Sequence, residues 1–152
     1  MKAFLIYCFA FTNMLSNAQI SNTEPTSINI RLSFLVFPTV SPLLTLEVRT
    51  IDKLTLQVET NFNNTHGINI KYFTKQVMNG HCFFAGTAFL ESDYLRKDKK
   101  TTYLPYLGYG YAHRFGKKNH WIFDNRLGIG RTLNADKNII TPVFKTGIGR
   151  TF

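Results

Sequence analysis

The chain has 152 residues, with 18 Lys and Arg against 9 Asp and Glu, a net charge of +9, and 14% aromatic residues. This length fits one compact unit. The longest apolar run is about half the ~20 residues that a membrane-crossing helix needs, which excludes an α-helical membrane protein.

That run belongs to an expected leader. Lys2 gives a one-charge start, residues 3–11 are apolar, and Ser16-Asn17-Ala18 offers small residues at the two positions that signal peptidase reads. Cleavage is expected before Gln19. Leu5-Ile6-Tyr7-Cys8 is a poor lipoprotein box, because Tyr7 is too bulky beside the cysteine. Residues 1–18 are read as a cleaved signal peptide, 19–26 as a short periplasmic lead-in, and 27–152 as one domain. The mature chain would keep 134 residues, 17 basic and 9 acidic side chains and one cysteine, Cys82, so it forms no internal disulfide. A basic exported surface prefers anionic partners, lipopolysaccharide phosphates and acidic glycans before nucleic acid.

Behind the leader, apolar and polar residues alternate at period two, the pattern of a sheet with one polar face. Segment 28–36 sets Ile28, Ile30, Leu32, Phe34 and Val36 against Asn29, Arg31 and Ser33. Segment 44–50 sets Leu44, Leu46 and Val48 against Thr45, Glu47 and Arg49. Segment 53–62 sets Leu54, Leu56, Val58 and Phe62 against Thr55, Gln57, Glu59 and Asn61. Segment 67–73 sets Ile68, Ile70 and Tyr72 against Asn69 and Lys71. Segment 81–91 is apolar on both faces, which leaves its register open. Segment 103–115 alternates Tyr103, Leu107, Tyr109, Tyr111 and Phe115 with Gly108, Gly110, Ala112 and Arg114. Segment 121–131 alternates Trp121, Phe123, Leu127 and Ile129 with Asp124, Arg126, Gly128 and Gly130. Segment 140–152 sets Ile140, Phe144, Ile148 and Phe152 against Lys145, Gly147 and Gly149.

Eight such strands predict an all-β protein, an eight-stranded antiparallel up-and-down transmembrane β-barrel with small residues in a narrow lumen. From a periplasmic N-terminus, the inner turns are 51–52, 75–80 and 116–119. The outer loops are 37–42, 63–66, 92–102 and 134–138, and the longest is outside. A soluble lipocalin-like ligand-binding barrel alternates in the same way with the faces exchanged, and periodicity does not separate the two. Phe152 in phase with the apolar face, and Tyr72, Tyr103, Phe115 and Trp121 near strand ends on that face, favour lipid.

With its leader, eight strands, short inner turns and terminal Phe152, the mature chain resembles the small eight-stranded bacterial outer-membrane barrels of the OmpX and OmpA-barrel type. The resemblance implies a monomer in the outer membrane, with Phe152 read by the barrel-assembly machinery. Arg150 departs from the tyrosine or apolar residue usual at that place.

Barrels of this size include lipid A deacylases and acyltransferases, the enzymatic alternative. The deacylase type needs a His and a Ser two apart on a late strand, and this chain has no His-x-Ser; His113 is followed by Arg114 and Phe115. His81, Ser92 and Asp93 are poorly placed for a relay. His66, His81, His113 and His120 match no metal-ligand spacing, so neither metal nor cofactor is expected. The interior charges Glu47, Arg49, Glu59, Lys71, Asp124 and Arg126 are expected to pair, since buried charges demand partners. Arg96, Lys97, Lys99 and Lys100, in loop 92–102, are the candidate contacts for an anionic surface. The functional expectation is a non-catalytic protein of envelope integrity or surface interaction.

Overall fold

The computed structural model describes residues 28–36, 41–91, 101–135 and 138–152. The expected leader and lead-in, and the cluster Arg96, Lys97, Lys99 and Lys100, lie outside the described residues. Eight strands follow in chain order: β1 Ile28–Leu35, β2 Ser41–Ile51, β3 Leu54–Thr60, β4 Thr65–Phe73, β5 Gly80–Leu90, β6 Thr102–Phe115, β7 Trp121–Arg131 and β8 Ile140–Thr151. Each pairs antiparallel with the next, and β8 returns to β1 with Gly149 opposite Arg31, so the sheet closes into an up-and-down barrel. Closure leaves no strand edge with unpaired backbone groups.

Strand ends differ from the sequence reading by a few residues, for local reasons. β3 stops at Thr60 because the Asn61 side-chain oxygen accepts the amides of Asn63, Asn64 and Thr65 at 2.9–3.0 Å, closing a turn there. β2 starts at Ser41, three residues before the expected 44, with Pro42 opposite Phe34 in the β1 pairing. The open register of β5 resolves with Cys82, Phe84, Ala88 and Leu90 inside and His81, Phe83 and Phe89 outside.

The two faces of the closed sheet are inverted relative to a water-soluble barrel. Arg31, Glu47, Gln57, Glu59, Lys71, Asp124, Arg126 and Lys145 point inward and are at most 1% exposed. Outward stand Ile30, Leu32, Phe34, Leu44, Ile70, Phe83, Leu107, Leu127, Ile129, Phe144 and Ile148, each 39–63% exposed. Among the outward-facing positions of the described strands, only Arg131 and Arg150 carry a full charge, and both sit at strand ends. Midway along β7 and β8 the outward pair Thr146 and Asn125 satisfies itself, the hydroxyl donating to the amide oxygen at 2.7 Å.

Inside, the barrel is layered. At the end where 91–101 and 132–139 connect strands, Leu35, Leu43, Ala88, Leu90, Leu104 and Val143 form an apolar cap. At the opposite end, Phe73, Val77, Met78, Cys82, Ala112 and Ile122 form a second cluster. The β4–β5 turn folds back to supply Val77 and Met78; Met78 adopts a left-handed backbone (φ 57°) to do so. Charged side chains fill the space between.

Glycine on one wall makes that filling possible. A Cβ on Gly149 would lie 2.3 Å from the Ile30 carbonyl oxygen and 2.6 Å from Arg31 Cβ. Neither neighbour is the free end of a side chain, so neither can give way cheaply. Gly149→Ala is expected to destabilise the barrel by about 1–3 kcal/mol, the usual cost of overpacking, read as a lower urea midpoint for unfolding.

Candidate functional site

The middle layer of the lumen is a continuous ionic belt. Asp124 on β7 stands between three cations: Arg31 Nη1 at 3.1 Å, Lys71 Nζ at 3.1 Å and Arg126 Nε at 3.0 Å. Glu47 on β2 shares two of these centres, with Arg31 Nη2 at 3.0 Å and Lys71 Nζ at 3.3 Å. Its remaining capacity is met by the Thr55 hydroxyl at 2.6 Å and the Gln57 amide at 3.1 Å. Glu59 on β3 accepts from Arg126 Nη2 at 2.9 Å and pairs closely with Lys145. Lys145 also donates to the Tyr106 hydroxyl at 2.7 Å, and that hydroxyl donates to the Asn69 side-chain oxygen.

Every strand but β5 contributes to this chain of contacts, which therefore ties the barrel wall across its diameter. Aromatic rings bracket it. Arg126 lies over Phe84 at 5.8 Å and Lys145 over Tyr106 at 4.5 Å on one side, and Lys71 lies over Phe73 at 5.6 Å on the other. Buried ions cost heavily unless such partners offset the lost hydration. Here each carboxylate meets at least two cations. The belt is cation-rich, with Arg31, Lys71, Arg126 and Lys145 against Glu47, Glu59 and Asp124. An aqueous channel would wet these side chains; at 0–1% exposure they are dry, so no water-wide path runs through the belt.

The structure brings Glu47, Glu59, Lys71, Asp124 and Arg126 together. Arg49, expected among them, lies nearer the turn end, half-buried, with Asp52 at 4.0 Å. Arg31 and Lys145, which stood on the same polar strand faces in the sequence, complete the belt. Tyr106 carried no signal, because a tyrosine beside Leu104 and Leu107 reads as girdle or core. Gly110 clears the space for Arg126: a Cβ there would meet Arg126 Cγ at 2.8 Å.

The histidines do not converge. His66 bonds the Thr60 hydroxyl at 2.8 Å, and His81 faces outward against the Tyr109 hydroxyl. Among the described residues, no group of three or more His, Cys, Asp or Glu is placed to hold a metal ion. Ser92 and Asp93 lie outside the described residues. Phe152 donates its amide to Ile28 O at 2.8 Å, and its ring lies under the Arg150 guanidinium at 5.4 Å.

The architecture is thus that of a small closed β-barrel with a filled, ionic interior. Comparisons with protein-family models, curated proteins and solved structures found no match.

Proposed function

We propose that this chain is an integral outer-membrane β-barrel protein of a Gram-negative envelope, exported through a cleaved signal peptide and inserted by the barrel-assembly machinery. The observation that supports the reading is the inverted polarity: a belt of dry ions inside, and outside, among the described strands, an apolar surface whose only full charges sit at strand ends. In water that surface would be a severe aggregation hazard; against hydrocarbon it is the matching solvent. Trp121, Tyr111 and Phe115 near one end, and Tyr103 and Phe89 near the other, fit two interfacial girdles.

With its lumen filled, such a barrel acts as a membrane-held platform and not as a pore. Its duty is non-catalytic, envelope integrity or surface interaction, with Arg96, Lys97, Lys99 and Lys100 contacting lipopolysaccharide phosphates or an acidic glycan. Expression in a Gram-negative host, followed by fractionation, tests the reading. The protein is expected in the outer membrane, with different gel mobility before and after boiling. Replacing the four loop cations by serine is expected to weaken lipopolysaccharide binding without altering that mobility shift. A protein soluble without detergent and indifferent to boiling would overturn the proposal.

A further inference from the structure

The turn end of the barrel carries a basic concavity that neither the belt nor the loop proposal uses. Arg49, Asp52, Lys53, Lys75, Gln76, Val77 and Arg114 line a solvent-open cavity of about 210 Å³. A single water needs only about 10–15 Å³ by a comparable measure, so the space admits a small ion with its hydration. Four cations line it against one carboxylate, and that carboxylate, Asp52, is 80% exposed and reaches Arg49 only at 4.0 Å.

Two of these cations are held by neutral groups. Arg114 Nη2 donates to the Val77 carbonyl at 3.3 Å, and Lys53 Nζ donates to the Thr74 carbonyl at 3.3 Å. Carbonyls orient a cation without cancelling its charge. The Arg114 Nε is buried with no hydrogen-bond partner among the described residues. The frame beneath is fixed: Thr74 N donates to His81 O at 3.0 Å, Asn79 N to Gln76 O at 3.1 Å, and Phe73 N to Lys53 O at 2.9 Å. The cations therefore stand around a space framed by this backbone.

We propose that this mouth is a binding site for a phosphate group, either a free phosphate ion or the phosphate of a lipid headgroup. A tetrahedral phosphate, singly charged as a lipid diester and up to doubly charged as the free ion, presents its oxygens to several cations from different directions, which a planar carboxylate does not. Guanidinium groups pair with two of its oxygens at once, and lysines add point charge. The site depends on the barrel fold and on nothing assumed about loop 92–102.

The test titrates inorganic phosphate into the folded protein in maltoside micelles, which carry no phosphate, and follows the heat of binding. A second arm dopes the micelles with phosphatidylglycerol and follows phosphorus line width. Saturable binding is expected in at least one arm, and the responding arm tells free phosphate from lipid headgroup. Lys75→Gln, on an exposed turn, and Arg114→Gln are each expected to weaken binding about tenfold, the equivalent of ~1.4 kcal/mol. A Lys117→Gln, Lys118→Gln double variant in the neighbouring turn is expected to bind like the parent. Absence of binding in both arms, or binding that Lys75→Gln and Arg114→Gln leave unchanged, overturns the proposal. The boiled and unboiled gel shift confirms that each variant is folded.

Discussion

Asp124→Ala is expected to cost the barrel about 3–5 kcal/mol, the range for removing one partner from a buried ion pair. The reason is geometric. Asp124 is the one carboxylate of the belt that touches three cations, Arg31, Lys71 and Arg126, all at 3.0–3.1 Å. Deleting it leaves those charges dry in a belt that already holds more cations than carboxylates. Lys145→Met removes a cation from the same belt and is expected to cost less, about 1.5–3 kcal/mol for the charged hydrogen bonds lost to Glu59 and Tyr106. Equilibrium urea unfolding of the two variants in micelles checks the order. A larger loss for Lys145→Met than for Asp124→Ala would contradict the view that Asp124 is the carboxylate on which the belt most depends.

The second large effect lies on the opposite face of the wall. Leu127 is 62% exposed midway along β7, between Tyr109 and Phe144 on the neighbouring strands. If that surface meets hydrocarbon, Leu127→Arg costs about 2–4 kcal/mol in a bilayer, the range measured for a cation at the midplane. Ile51, 69% exposed at the turn end of β2, sits where the interface would be. Ile51→Arg is expected to cost about 0–1 kcal/mol by the same depth dependence. Unfolding in vesicles compares the two, and equal, near-zero costs would mean that both positions face water.

Strand number, order and most boundaries were legible because period-two alternation is a local property of the chain. It assigns Leu32 and Arg31 to opposite faces whatever the neighbouring strands do. Which face is inside is not local. The same alternation describes a soluble barrel turned inside out, and only the closed sheet shows Arg31, Lys71 and Lys145 within and Leu107 and Leu127 without. β5 resisted reading because its inner wall is itself apolar, with Cys82, Phe84, Ala88 and Leu90 inside and Phe84 beneath the Arg126 guanidinium, so Phe84 and Phe83 carry no contrast. The belt was partly legible as a set of charges, but its pairings join residues as far apart as Glu59 and Lys145. The basic mouth was not legible at all. It is assembled from two turns and two strand ends, and Arg114 and Lys75 look like ordinary surface cations in sequence.

Trp121 offers the most direct measurement, since it is the one tryptophan of the chain and stands 45% exposed on the outer face at the start of β7. Its fluorescence would be recorded with the protein refolded into vesicles of lipids brominated at different depths along the acyl chain. A lipid-facing wall predicts blue-shifted emission, quenched most by bromines close to the headgroup and hardly at all by aqueous iodide. Full quenching by iodide, with no response to bromine at any depth, would place that wall in water and contradict the membrane account.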